Sequence, residues 1–291
     1  MPVLRRTLIA LRWQIVGYGV GLFAWAVAVV LLYPAIRDVY KGVELPEAYS
    51  AMFGDAAFNL GDFRNFVSVE LYQWIPLVMT IYVVVAATGT LAGDEGRGVL
   101  EILLTQPRSR RRVFFEKAGA LLIGALAIAA ITSLGLAVSV PFVDTGSDLS
   151  LIELIVAVFA TLPFVLLIGS FSLLLAAVAP TRGTAAAIAA AVVVASWLAA
   201  SLAGLSEQTA WLKYLSGYYY ADAQTIPLDG PVAWHQALVF GLTAAQTALA
   251  AIAFQRREIE GGTWQIRLRG MARSAGVPAA APGGGHAPLQ R

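Results

Sequence analysis

Residues 118–140 read AGALLIGALAIAAITSLGLAVSV, a run of 23 residues without Asp, Glu, Lys, Arg or His. A helix needs about 20 predominantly apolar residues to cross the hydrocarbon core of a bilayer. The run is continuous and does not alternate with polar residues, which favours a helix over a strand of a membrane barrel. This stretch therefore predicts a transmembrane helix.

Five further windows of the same kind occur along the chain. They predict spans at 15–32, 74–91, 154–178, 184–205 and 237–254. Charged residues make up 13% of the 291 residues, whereas a soluble domain has about 25%. With 58% hydrophobic residues, the composition excludes a soluble domain and a disordered chain. The predicted fold is an all-α membrane protein with six transmembrane helices in residues 15–254.

The distribution of basic residues predicts the orientation. Lys and Arg concentrate before the first span, between spans two and three, between spans four and five, and after span six; 16 of the 20 lie on that side. Because basic loops stay cytoplasmic, both termini are expected in the cytoplasm of a multi-pass plasma (inner) membrane protein. A cleaved signal peptide is the alternative for the first window, but its apolar run to Leu32 exceeds the usual core of about 7–15 residues.

The regions that flank the helices differ in composition. Apolar residues recur at three- and four-residue steps before the first span, at Leu4, Leu8, Leu11 and Ile15. Together with nearby arginines they predict an amphipathic interface helix over 1–14, a solvated basic arm being the alternative. The tail 255–291 is expected in the cytoplasm, and it is largely disordered from about 276, where Ala, Gly and Pro dominate.

Two further features of the sequence concern packing. Gly17 and Gly21 form a small-xxx-small spacing that permits close helix contact, either within the chain or between chains. The first outer loop, 33–73, is acidic but holds several Phe residues, and it is expected to pack on the outer membrane face. The aromatic-rich loop 206–236 fits either short helices dipping into the outer leaflet or an aromatic belt.

The connection between spans two and three has a distinct pattern. Residues 93–110 read GDEGRGVLEILLTQPRSR. Leucines and valine four residues apart predict a short helix with an apolar face, which Pro107 ends because the residue before proline disfavours helical backbone. Ser109 is placed to cap the next helix. An exposed apolar face on the cytoplasmic side needs a partner to cover it.

This stretch resembles the hallmark of type-2 ABC exporter permeases, the multidrug, antibiotic and polysaccharide exporter class. The residues that match the pattern are Glu95, Gly98, Leu100, Glu101, Leu103, Leu104, Pro107, Ser109, Arg110 and Lys117. Val99 and Arg108 depart from it, as does Gly217 in the last outer loop, where the family often has proline. The resemblance covers about residues 1–260 and includes the six spans.

The resemblance implies a function and a set of partners. The short helix would be a coupling helix, with Val99 to Leu104 in a groove of a separate cytoplasmic ABC ATPase and Glu95, Glu101 and Arg110 at its rim. Two permease subunits, identical or related, would work with two ATPase subunits. The uncharged spans suggest an amphipathic or apolar cargo such as a drug, an antibiotic, a lipid-like molecule or a metabolite.

The chain itself lacks the residues for ATP hydrolysis. A phosphate-binding loop needs Gly-Lys-Ser/Thr, but Tyr, Glu and Leu precede the three lysines, Lys41, Lys117 and Lys213. ATP and Mg are therefore expected in the partner and no cofactor in this chain. Two histidines and no cysteine leave little for a metal site. The basic residues follow the membrane rule, so membrane lipids and not nucleic acid are the expected contacts.

Two other classes remain as alternatives. A secondary transporter usually has ionisable groups inside its helices, and the six windows contain none. An intramembrane hydrolase would need a nucleophile and a base, for which Ser170, Ser172 and His235 are the candidates. The usual Gly-x-Ser-Gly arrangement around the serine is absent.

Overall fold

A computed structural model describes residues 2–40, 60–96, 109–146, 149–203, 206, 208–221, 230 and 232–256. Regular structure within these ranges is entirely helical. The α-helices are Pro2–Tyr40, Phe63–Val67, Trp74–Thr90, Ala92–Gly96, Arg110–Ser139, Leu151–Ala160, Leu162–Val178, Arg182–Ala203 and Ala233–Arg256. A π-helix covers Ser68–Tyr72, and short 3-10 helices cover Val140–Phe142, Ala210–Leu215 and Tyr219–Ala221. The predicted tail 255–291 lies outside the described residues beyond Arg256.

Six helical stretches in the described residues are long and apolar enough to cross a membrane. They are span 1 (Pro2–Val39), span 2 (Phe63–Asp94), span 3 (Arg110–Phe142), span 4 (Leu151–Val178), span 5 (Arg182–Ala203) and span 6 (Ala233–Arg256). This confirms the all-α, six-span prediction. Most of the helices run past the predicted windows, because the windows exclude charged residues whereas the helices continue through them.

Span 1 belongs to one uninterrupted helix. Its 39 residues, Pro2–Tyr40, extend about 58 Å at about 1.5 Å per residue, nearly twice the thickness of a hydrocarbon core. The helix is therefore long enough to cross the core and project beyond it. Among the described residues, the predicted interface segment 1–14 continues from Pro2 directly into the span. Its position at the membrane interface stays a prediction.

Span 2 begins 11 residues before its predicted window, within the predicted outer loop. Asp62 caps it by accepting a hydrogen bond from the backbone N–H of Arg64 at 2.8 Å. The aromatic rings of Phe63 and Phe66 pack on Tyr33 of span 1, with centroids 5.0 and 5.3 Å apart. Residues 63–72 of that loop are thus helical, and Phe63 and Phe66 are buried against span 1.

Span 2 is the most buried of the six helices. Of its most apolar window 72% is buried, compared with 28% for span 1, 22% for span 6 and 17% for span 5. Span 4 packs against spans 2, 5 and 6, and span 1 packs along span 3. The spans 1 and 3 approach closely at Gly135, where an added Cβ would lie 2.8 Å from the carbonyl oxygen of Phe23. Broad apolar faces of spans 1, 5 and 6 have no cover from the described part of the chain.

Candidate functional site at the ends of spans 2 and 3

The predicted coupling segment joins span 2 to span 3. Its residues Gly98, Val99, Leu100, Glu101, Leu103, Leu104 and Pro107 lie outside the described residues. Glu95 lies in the short helix Ala92–Gly96, one residue past the end of span 2. Ser109 caps span 3, and Arg110 begins it. The structure thus shows where the segment leaves and rejoins the helices, and the short coupling helix stays a prediction.

The two ends of this segment are joined by a buried ion pair. Lys117 Nζ donates to Asp94 Oδ2 at 2.5 Å and also to the carbonyl oxygen of Thr90. The Lys117 residue is fully buried, and a buried ammonium is tolerated only where it is paired and hydrogen-bonded. Lys117, which matched the family pattern, therefore fastens span 3 to the end of span 2.

The first turn of span 3 begins with the predicted cap. Ser109 has extended backbone, and its Oγ accepts a hydrogen bond from the N–H of Arg112 at 3.4 Å. A second bond, from Arg112 N to the Ser109 carbonyl oxygen, closes the same turn at 3.0 Å. This arrangement satisfies N–H groups that a helix start leaves free. It fixes the place where the segment re-enters the helix.

Glu116, next to Lys117, fastens span 3 to span 1. Its Oε2 accepts hydrogen bonds from the backbone N–H groups of Val3 and Leu4, each at 3.0 Å. Its Oε1 accepts from Arg112 Nε at 2.9 Å. A carboxylate at this position satisfies free N–H groups of the first turn and interacts favourably with the helix dipole. Consecutive residues of span 3 thus hold the start of span 1 and the end of span 2.

Sequence reasoning did not find the role of Glu116. The carboxylate and its partners are more than 110 residues apart, so no local spacing connects them. The only signal was a Glu-Lys pair between the basic stretch and the apolar run of span 3. The predicted windows began after that pair and left both residues outside the span.

The glycines of span 1 divide between two faces. A Cβ added at Gly17 or Gly21 would meet nothing within 4 Å, whereas one at Gly19 would lie 2.8 Å from Ile131 Cδ1 of span 3. Packing within the chain is therefore made by Gly19. The close contact predicted at Gly17 and Gly21 has no counterpart in the described residues and stays a prediction about a second chain.

The aromatic-rich loop between spans 5 and 6 contains short 3-10 helices, and whether they dip into the outer leaflet stays a prediction. Ser216 Oγ donates to the carbonyl oxygen of Ser196 at 2.6 Å, and Tyr218 N donates to Ser196 Oγ at 3.0 Å. The Tyr218 hydroxyl donates to the carbonyl oxygen of Gln73 in span 2. Gly217, where the family often has proline, lies against the ring of Phe164, 3.4 Å from an added Cβ. The described part of the loop at Ser216–Tyr218 is therefore fixed to spans 2, 4 and 5.

The residues considered for a hydrolase are separated in the structure. Ser170 Oγ lies 2.9 Å from the carbonyl oxygen of Leu167 and 2.7 Å from Gln246 Oε1, and its one hydroxyl proton can be donated to either acceptor. His235 packs against aromatic rings of the preceding loop and lies 11 residues before Gln246 on one helix, about 16 Å along its axis. Ser172 Oγ donates to a carbonyl oxygen of its own helix. No serine–histidine pair is formed by these residues.

The spans are less free of charge than the predicted windows. Because the helices are longer, span 2 includes Glu70 and Asp94, and span 3 includes Glu116 and Lys117. Near the segment, Asp94 is paired with Lys117, and Glu116 is bonded to the first turn of span 1. They therefore connect helices and do not form an open chain of proton carriers.

Comparison with known proteins identifies the family. A family model described as ABC-2 family transporter protein matches residues 12–259. None of the curated proteins matches the chain. The match includes the whole segment between spans 2 and 3 and extends past the end of span 6. In this family the chain is the membrane component and the ATPase is a different protein. The chain therefore belongs to the ABC-2 family of transporter proteins.

Proposed function

We propose that this chain is the permease subunit of an ABC exporter. A separate cytoplasmic ATPase would bind the segment from Glu95 to Arg110 and drive transport by displacing it. The observation that carries the proposal is the arrangement of Glu116 and Lys117 beside that segment. Through them, three helix ends are linked at the place where the ATPase would bind. A displacement of the segment would then be transmitted to spans 1, 2 and 3 together.

The charge distribution supports the orientation of the proposed transporter. The linked helix ends carry Arg5, Arg6, Arg110, Arg111 and Arg112. Basic residues at one end of the spans favour the cytoplasmic side of a plasma membrane. We therefore place both termini, and the ATPase, on that side.

The exposed surfaces support a second permease subunit and an apolar or amphipathic cargo. Spans 1, 5 and 6 leave most of their apolar surface uncovered by the described part of this chain. Gly17 and Gly21 lie on such a surface, where a neighbouring helix could approach closely. In this proposal the second subunit, identical or related, and lipids cover these faces, and the cargo crosses between mainly uncharged helices.

Measuring ATP hydrolysis with and without the partner ATPase tests the proposal. The purified chain alone should not hydrolyse ATP, and the chain in complex with its ATPase should hydrolyse ATP faster when a lipophilic substrate is added. ATP hydrolysis by the chain alone would contradict the proposal. Transport in vesicles driven by a proton gradient without ATP would favour the secondary-transporter alternative.

A further inference from the structure

A cavity of about 340 Å³ lies at the basic end of the helices, between spans 1, 2 and 5. Polar side chains in its lining include Arg6, Gln14, Asp94 and Arg182. Its volume lies at the lower end of small-molecule pockets, about 300–1,000 Å³. The cavity therefore fits a polar headgroup better than a whole amphiphile.

The cavity has a net positive charge. Asp94 is its acidic lining residue, and the ammonium of Lys117 already neutralises that carboxylate at 2.5 Å. Neither Arg6 nor Arg182 forms an ion pair within the part of the chain that the structure describes. Two guanidinium groups are thus left to interact with an anion.

The position of Arg182 depends on two glycines of span 2. Its side chain lies across Gly89 and Gly93, which are four residues apart on one helix face. A Cβ added at Gly93 would lie 3.3 Å from Arg182 Cδ, and one at Gly89 would lie 3.4 Å from Nη2. Because glycine has no side chain, Gly89 and Gly93 leave room for the Arg182 side chain to lie across the helix and reach the cavity. Arg182, which sequence analysis treated only as a topology signal, is therefore specifically placed.

The same cavity contains a buried polar atom without a partner. Gln14 Oε1 is buried and finds no hydrogen-bond donor among the described residues. A buried acceptor of this kind is costly unless a donor satisfies it. A ligand that brings both an anionic group and a hydroxyl would satisfy the two arginines and Gln14 at once.

We propose that this cavity binds the phosphate headgroup of an anionic lipid from the leaflet at the basic end, with a hydroxyl-bearing headgroup such as that of phosphatidylglycerol as the best fit. Guanidinium groups bind phosphate through two parallel hydrogen bonds. Basic pockets between transmembrane helices on the cytoplasmic side are suited to such headgroups. The inference goes beyond the transport function and does not depend on the ATPase.

The surroundings of the cavity favour a lipid over a soluble phosphate. Leu11 and Val85 contribute apolar wall to the cavity. On the same helix as Arg6, Ile9 and Trp13 are 49% and 73% exposed, and tryptophan is enriched where membrane helices cross the membrane–water interface. The headgroup would bind in the cavity while its acyl chains lie along this apolar surface.

The affinity of the full chain for phosphatidylglycerol, measured by native mass spectrometry from a neutral detergent, tests the proposal. Arg182→Gln should lower the affinity about tenfold or more, the loss expected for a charge-assisted hydrogen bond, and Arg6→Gln/Arg182→Gln should lower it further. Arg182→Lys retains the charge without the planar fork and should give a smaller loss. Arg5→Gln is the matched control, since Arg5 does not line the cavity, and it should bind as the unmodified protein does.

A geometric variant separates the site from general surface charge. Gly93→Val keeps both arginines but pushes the Arg182 side chain aside, and it should lower phosphatidylglycerol affinity as Arg182→Gln does. Unchanged affinity in both Arg182→Gln and Gly93→Val, or equal affinity for phosphatidylcholine, would overturn the site. Glycerol 3-phosphate that bound as tightly as phosphatidylglycerol would overturn the assignment to a lipid.

Discussion

Lys117 Nζ of span 3 lies 2.5 Å from Asp94 Oδ2 of span 2, at the point where the segment between the two spans leaves the helices. The neighbouring residue, Glu116, binds the first turn of span 1. The end of the molecule that faces the proposed ATPase is therefore held by two adjacent side chains. Substitutions at Lys117 and at Glu116 should therefore have separable effects on stability.

Lys117→Met should destabilise the protein by about 3 kcal/mol, because it removes the ammonium that faces the partly buried carboxylate of Asp94. The Asp94→Asn/Lys117→Met double variant should recover part of that loss, since an uncharged pair has no such penalty. Thermal unfolding in detergent measures both. Lys213→Met, in the loop between spans 5 and 6 beside Tyr214, is the control and should change stability little. If the stability losses of Asp94→Asn and Lys117→Met simply added up in the double variant, the two residues would not be a coupled pair.

Glu116→Gln should loosen the first turn of span 1 without unfolding the bundle. The amide of Gln accepts hydrogen bonds but lacks the charge, which is worth about 0.3–1 kcal/mol near a helix N-terminus. Hydrogen exchange should rise at the amides of Val3 and Leu4 and stay unchanged at Ala26. Glu153→Gln is the matched control, because Glu153 caps span 4 together with Ser150. Faster exchange at Val3 in that control would show that the effect is not local.

Gly19→Leu and Gly17→Leu should differ although they lie on one helix. The Cβ at position 19 meets Ile131 at 2.8 Å, and the Cβ at position 17 meets open space. Overpacking costs about 1–3 kcal/mol, so Gly19→Leu should lower the unfolding temperature of the monomer in detergent and Gly17→Leu should not. Equal destabilisation by both would contradict the observed face of span 1. Loss of self-association in Gly17→Leu alone would indicate that a second chain packs on that face.

The sequence predicted the number and type of the spans but not their full extent. Uncharged windows such as 118–140 identify membrane helices because the bilayer selects for length and apolarity. They end too early where a charged residue is accommodated by a partner, as Lys117 is by Asp94. The start of span 2 was missed because Phe63 and Phe66 are buried by Tyr33, a contact distant in sequence.

The candidate site was predictable only in part. The family pattern included Lys117, and the helix rules identified Ser109, because both signals are local. The contacts of Glu116 with Val3 and of Arg182 with Gly89 join different spans, and no spacing in the sequence encodes them. The cavity between spans 1, 2 and 5 was therefore visible only in the structure.

Co-purification of the ATPase with variants of the coupling segment is the most direct test of the proposed function. Leu100→Asp and Leu103→Asp, which add a charge to the predicted apolar face, should abolish association with the ATPase that co-purifies with the unmodified protein. Membrane insertion and unfolding temperature should stay unchanged. Leu215→Asp, a control at a 71% exposed position between spans 5 and 6, should retain the ATPase. Full retention by Leu100→Asp and Leu103→Asp, or no ATPase with the unmodified protein, would contradict the account.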